Sequence, residues 1–339
     1  MVPVSRLRRA LLFAVAWMEM FARLPKSTRV LLAFACVYLM WGSTYVAIHV
    51  AGEQLPVPVV SGTRSLLSAT LIAIICVAMR KSLRVPKGEG WKLALIGLLF
   101  MSGNNMLLTW GETMVPSGFA SLVVSTLPIM IALMEMALGV MGKGGDALNK
   151  RGWAGTLLGT AGITVLVWPS LHRHAQSGSS RPLLAVLVLL GATFSFAVGS
   201  VLSRRFRFKA DTFVATGWQI GAAGIFNMSL AVVTGGLHRA VWTVHGLEAI
   251  AYLSVFGSLC GLVAFTYLLQ NVAVTKVSTY AFVNPVIAVL LGVAVLGERL
   301  VSTEIVGMGI IICAVAMVVY SRVDRGKKEI VGMAGDAVE

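Results

Sequence analysis

Apolar runs of about twenty residues without a charged side chain, each long enough to cross a hydrocarbon core of about 30 Å, recur along almost the whole chain. That single feature decides the class of fold. In hydrocarbon every backbone N–H and C=O must be satisfied within the structure, so such runs cross as helices. The alternating ten-residue strands of an outer-membrane barrel are absent from the sequence. Composition agrees: only 12% of the 339 residues are charged and mean hydropathy is +0.85, against about 25% charged residues in soluble domains.

The runs predict ten spans at 30–50, 59–79, 92–112, 117–140, 152–169, 183–203, 213–235, 247–270, 277–296 and 303–321. Orientation follows from Lys and Arg in the short connections. One alternating set of connections and ends, from Arg6 to Lys328, holds 23 of them, including Arg80, Lys81, Lys150, Arg204, Arg205 and Lys276. The opposite set holds only Arg173, Arg181, Arg239 and Arg299, and Arg64 alone lies well inside a span. One missed or surplus span would mix the two sets. An even span count with both termini cytoplasmic is therefore expected. The same asymmetry removes nucleic acid as the reading of the net charge of +14, since the basic excess borders one face of a membrane.

The expected division is a basic N-terminal segment 1–29, a first five-helix repeat 30–170, an outer linker 171–182, a second repeat 183–321 and a polar cytoplasmic tail 322–339. Glu19 interrupts the short apolar stretch Ala10–Ala22, so residues 1–29 read as an uncleaved basic helix on the inner surface. The alternative is an extension upstream of a true start at Met18 or Met20. Cys36, Cys76, Cys260 and Cys313 all fall inside spans without C-x-x-C spacing and read as small buried hydrophobes.

The two halves resemble one another. Ser121-Leu-Val-Val-Ser-Thr-Leu-Pro128 lies over Ser278-Thr-Tyr-Ala-Phe-Val-Asn-Pro285 without a gap, and Trp41-Gly-Ser-Thr-Tyr45 over Phe196-Ala-Val-Gly-Ser200. A repeat of five spans enters the membrane from opposite sides in its two copies. Inverted repeats are the architecture of alternating access, with a site near the midplane where the halves meet. The chain is thus expected to be an all-α integral membrane protein that moves a small molecule.

At Trp41-Gly-Ser-Thr-Tyr-Val-Ala47, at Val115-Pro-Ser-Gly-Phe-Ala-Ser121 leading to Pro128, and at Asn284-Pro285 followed by Leu296-Gly-Glu-Arg-Leu300, the sequence resembles the drug/metabolite transporter superfamily, in its ten-helix EamA-type permease branch. The resemblance covers about residues 30–322. It implies a permease of the bacterial inner membrane that exports amino acids, other metabolites or toxic compounds, with a cavity lined by the first, third, fourth, sixth, eighth and ninth spans. The chain departs from internal symmetry where Met141 falls opposite Glu298 of the Leu-Gly-Glu turn.

Candidate site residues follow from depth and chemistry. Arg64 is a costly intramembrane charge, placed to pair locally, snorkel outward or gate; Glu112, at the end of the third span, is the nearest acidic partner by depth. Glu135 is the one carboxylate inside a span rather than at its edge, about one turn from the cytoplasmic end, where water is expected to reach it; it is a candidate for proton coupling. Trp41, Ser43, Thr44, Tyr45, Asn104, Asn105, Thr126, Ser195, Ser200, Tyr267, Tyr280 and Asn284 are candidates for the cavity wall. For the hydroxyl and amide residues, hydrogen bonding between helices is the competing reading. Pro128 and Pro285 are hinge candidates or simple kinks. The pairs Gly155/Gly159, Gly217/Gly221 and Gly257/Gly261 read as close-packing faces.

No H-E-x-x-H, G-x-S-x-G or P-loop occurs, and His49, His172, His174, His238 and His245 fall at span ends or in outer loops. Neither enzyme chemistry, cofactor nor metal is expected; the partners are a small-molecule substrate and the lipid bilayer, with no nucleic acid. The leading reading is a secondary exporter of amino acids, related metabolites or toxic compounds. A sugar or nucleotide-sugar permease is the alternative, and a membrane-embedded enzyme or receptor a further one.

Overall fold

The computed structural model describes residues 24–115, 117–141, 146–175, 182–296, 302–321 and 323–325. The first half comprises α1 (Lys26–Gln54), α2 (Val57–Ala78), α3 (Gly90–Glu112), α4 (Ser117–Val124), α5 (Leu127–Val140) and α6 (Lys150–Ala175). The second comprises α7 (Pro182–Phe206), α8 (Thr212–Val233), the short α9 (Gly236–Arg239), α10 (Val244–Asn271), the short α11 (Val274–Val277), α12 (Tyr280–Leu296) and α13 (Ser302–Val319). Strands β1 (Asp146–Leu148) and β2 (Val323–Arg325) form one antiparallel pair.

These helices bury polar groups and present apolar ones. Ser65, Ser68, Thr216, Gln219 and Asn227 are fully buried, whereas Leu31, Leu183, Val233 and Ile312 are exposed. In water that arrangement would strand large apolar area; against lipid tails it costs nothing. Among the described residues α1, α2, α3, residues Leu183–Phe206 of α7, and α10 are each long and apolar enough to cross a membrane.

Close approach of backbones sets the packing. Gly97 of α3 lies so near the Gln219 carbonyl of α8 that any Cβ there would collide with it. Gly155 and Gly162 of α6 face Ala314, Met317, Ile310 and Ile311 of α13, Gly159 faces Phe282, and Gly217 and Gly221 of α8 face Ile72 and Ala69 of α2. These are the close-packing faces expected of such glycines.

The loops meet in two groups. Lys81 pairs with Asp211 at 2.7 Å, Glu89 accepts from the Lys209 and Ala210 amides, Lys276 Nζ donates to the Val319 carbonyl at 2.7 Å, and β1 pairs with β2. At the other end Val241 N donates to the Gln54 carbonyl at 3.4 Å, and the Thr243 hydroxyl meets the Gln54 side chain. Each contact joins segments that the basic-residue count puts on the same side.

Several expectations need revision. The fourth span is not one helix: it breaks at Ser125–Thr126, and Pro128 opens α5 in its first turn, where its missing N–H costs no bond. Pro285 instead sits inside α12, so the two repeat-matched prolines have different local settings. The ninth predicted span begins as α12 at Tyr280 rather than 277, and α6 runs to Ala175, taking in the start of the predicted linker. Val323–Arg325 of the predicted tail is held against β1. Cys313 is exposed rather than buried, while Cys76 is buried and Cys36 and Cys260 are half-buried. Of the expected N-terminal surface helix 1–29, residues 1–23 lie outside the described residues, as do Pro116 and Gly297–Leu300, while Lys26–Arg29 open α1.

Candidate functional site

Two helices lose the α-helical repeat at mid-length. Leu98–Met106 within α3 and Leu253–Leu262 within α10 are π-helical. An i→i+5 stretch is uncommon and turns side chains onto a face that α-geometry would not give them, which is why such stretches gather at functional sites. Here each stretch aims a side chain at Arg64 of α2. Arg64 Nε donates to Ser258 Oγ at 2.7 Å and Nη1 donates to Asn105 Oδ1 at 2.6 Å. Around it, Ser68 Oγ donates to the Arg64 and Ser254 carbonyls, and Ser254 Oγ lies 3.2 Å from the Arg64 carbonyl. Gly257 leaves room for the guanidinium: a Cβ there would stand 2.7 Å from Nη2.

Arg64 is only 5% exposed and has no carboxylate partner among the described residues. The expected pairing with Glu112 is not made. Neutral dipoles of Asn105 and Ser258 hold the guanidinium instead, a fixed positive charge with donors to spare: an arginine has five N–H groups, and Nη2 has no hydrogen bond among the described residues. Snorkelling to the membrane surface is likewise overturned by this burial.

An aromatic cluster lies beside this centre. Trp41 Nε1 donates to the Gly257 carbonyl at 2.9 Å, and its ring packs on Phe196, Phe265 and Tyr280 at centroid distances of 5.7, 5.0 and 4.7 Å. Tyr45 is buried beside Asn284, whose Oδ1 is buried without a hydrogen-bond partner among the described residues. Tyr252 donates to Ser43 Oγ at 2.6 Å. Ser195 Oγ donates to the Leu99 carbonyl at 2.9 Å, joining α7 to the π-stretch of α3. Asn104 is half-buried.

Other predicted residues serve packing. Thr44 and Ser200 donate to the carbonyls of Trp41 and Phe196 in their own helices, Thr126 in the break donates to the Val123 carbonyl of α4, and Ser200 is fully buried. Tyr267 packs half-buried against the main apolar core. Glu135 is 2% exposed and paired with Arg205 at 3.4 Å, so water does not reach it as expected; the arginine ending α7 covers it. Glu112 is 4% exposed, and neither of its oxygens has a hydrogen-bond partner among the described residues.

Ser258 and Ser254 were not singled out from sequence, nor were Gln219 and Asn227, whose side-chain amides are fully buried on α8 without partners among the described residues. Gln219 and Asn227 carry a signal, being amides inside an apolar span. Ser258 carries none, since serine is ordinary in membrane helices.

The EamA-like transporter family model matches residues 28–168 and 183–320. The uncharacterized inner membrane transporter YedA of Escherichia coli (strain K12) is 32% identical over 291 residues, 86% of this chain and 90% of that protein. The uncharacterized transporter YvbV of Bacillus subtilis (strain 168) is 25% identical over 297 residues, 87% of this chain and 93% of that protein. A solved crystal structure superposes with a TM-score of 0.70 at 20% identity, covering 87% of this chain and 98% of the other, which bears on the fold alone. With family matches spanning both halves, this chain is a membrane transporter belonging to the EamA-like transporter family.

Proposed function

We propose that the chain is a secondary transporter of the bacterial inner membrane that exports amino acids or related small metabolites by alternating access. In this reading it crosses the membrane ten times as two inverted five-helix repeats, with both termini cytoplasmic. The observation that carries the proposal is Arg64: a buried cation with no acidic partner among the described residues, held by one side chain from the π-stretch of α3 and one from that of α10. The two helices occupy the same place in their halves, each following the second long helix. A group tied to both is placed to sense their relative position, and its spare donors suit a carboxylate, which accepts paired N–H bonds. The Trp41, Phe196, Phe265 and Tyr280 cluster supplies an apolar wall beside it. Metabolite profiles of medium and cytosol with the protein overproduced or deleted would identify the cargo, and proteoliposomes would test it directly. Saturable flux of a carboxylate-bearing compound without chemical change is expected; flux that ignores Arg64→Met would defeat the proposal. Sidedness tagging of the loops tests the topology, which fails if Met1 and Glu339 lie on opposite faces.

A further inference from the structure

The end of the bundle where Gln54 meets Thr243 contains a cavity of about 220 Å³ between α1 and α3. Its polar lining comes from His49 and Glu53 of α1, from Thr109 and Glu112 of α3, and from Thr113 just beyond; Gly52 leaves the space open. Every hydroxyl in this lining has already committed its proton. Thr109 Oγ1 donates to the Asn105 carbonyl at 2.8 Å and Thr113 Oγ1 to the Trp110 carbonyl at 2.7 Å, which leaves lone pairs for the cavity. His49 Nε2 is engaged with Glu53 at 3.2 Å. Glu112 is buried with both carboxylate oxygens unpartnered among the described residues. A carboxylate in that position is costly unless something donates to it or it takes up a proton.

The described wall is therefore rich in acceptors and poor in donors. A ligand that meets the ionised form of Glu112 brings N–H groups and positive charge. No group of three or more His, Cys, Asp or Glu able to hold a metal ion occurs among the described residues. An ammonium group matches better, because its three N–H bonds can reach a carboxylate and hydroxyl lone pairs at once. Ile48 and the threonine methyls give its carbon stem an apolar surface.

We propose that this cavity is a binding site for small primary ammonium ions, with Glu112 as the anionic anchor and Thr109 and Thr113 as accessory acceptors. It is distinct from the Arg64 centre. None of Arg64, Asn105 and Ser258 lines it, and Asn105 and Glu112 stand seven residues apart on α3, about 10 Å at helical rise. The site therefore does not depend on the transport proposal.

The test is equilibrium binding of radiolabelled methylammonium to the full chain in nanodiscs, in potassium phosphate at fixed pH and ionic strength. Saturable binding to one site is expected, undisturbed by ethanol and displaced by propylammonium. Glu112→Gln should weaken it at least tenfold and Thr109→Val about threefold, with the more exposed Glu53→Gln under threefold. Gly52→Val keeps every charge but fills the cavity, and should abolish binding even if Glu112→Gln proves unstable. Absence of saturable binding, an unchanged Glu112→Gln affinity, or displacement by sodium as effective as by propylammonium would overturn the assignment. Arg64→Met separates the two proposals: it should lower transport at least tenfold and leave methylammonium binding intact.

Discussion

Replacing Arg64 by methionine opposes two terms of known size. The change removes two hydrogen bonds made by a charged donor, to Asn105 and Ser258, each contributing about 1.5–3 kcal/mol. It also removes a buried guanidinium whose desolvation costs several kcal/mol. A flexible apolar side chain of similar length fills much of the vacated space. The net change in stability should then be small, within about 2 kcal/mol, because the two terms nearly cancel. Transport should behave otherwise. If the guanidinium binds a carboxylate, its loss removes a charge-assisted contact that methionine cannot replace, and flux should fall at least tenfold, about 1.4 kcal/mol. Arg64→Lys keeps the charge but not the planar fork, so it cannot hold Asn105, Ser258 and a ligand together, and it should fall between the two. The assays are the thermal midpoint of the purified protein in detergent and initial flux in proteoliposomes. Wild-type flux in Arg64→Met would refute the reasoning. So would equal losses of stability and flux, which would make Arg64 a structural brace; Asn105→Leu, which removes one partner and keeps the charge, checks that outcome independently.

Other perturbations test neighbouring parts of the structure. Arg205→Met should destabilise more than Glu135→Gln, by about 3 kcal/mol against about 1, because the first leaves a buried carboxylate without its ion-pair partner and the second does not; thermal midpoints compare them, and the reverse order would count against the pairing. Glu135→Gln should leave the pH dependence of flux unchanged, since the carboxylate is already occupied by Arg205. Gly97→Ala pushes a methyl group into the Gln219 backbone, so α3 and α8 must separate, at a cost of about 1–3 kcal/mol or more; a wild-type midpoint would show that the helices are less closely apposed. Trp41→Phe keeps the ring packing but drops the bond to the Gly257 carbonyl, and should cost about 1 kcal/mol.

The helices were legible because lipid leaves little choice. Val57–Ala78 was expected at 59–79, Gly90–Glu112 at 92–112, and Val244–Asn271 at 247–270. Errors came where local geometry departs from one continuous helix. The break at Ser125–Thr126 puts Pro128 in a first turn, and apolar periodicity gives no warning of it. The π-stretches are equally silent, since an inserted residue leaves composition unchanged. That is also why the partner of Arg64 was misjudged. Depth along the helix favoured Glu112, but the π-stretch swings Asn105 into reach, and α10 brings Ser258 from 194 positions away. Glu135 lies on the apolar helix α5, and its partner Arg205 lies 70 residues on, beyond any sequence pattern. Of the site, then, the sequence reveals costly residues; which neutral group answers each charge is a property of the packing.

The Arg64 linkage bears on how the proposed cycle would be driven. α2 donates one side chain to α3 in its own half and to α10 in the other. If the halves rock against each other, Arg64 must release Asn105 or Ser258, or move with one of them. Losing one charge-assisted bond without replacement costs about 1.5–3 kcal/mol, enough to hold the unliganded protein in one state by roughly ten- to a hundred-fold. A bound carboxylate can supply the missing acceptor during that exchange, so the barrier would fall only when cargo is present. A ligand shifts a two-state equilibrium only through its difference in affinity for the two states, and a guanidinium that must change partners provides such a difference. Asn105→Leu removes the restraint while leaving the cation. It should therefore raise leak, measured as flux of a half-saturating tracer into empty vesicles, while weakening accelerated exchange. If leak stayed at the wild-type level and exchange were unaffected, the Arg64–Asn105 bond would not be the element that keeps the two halves in step.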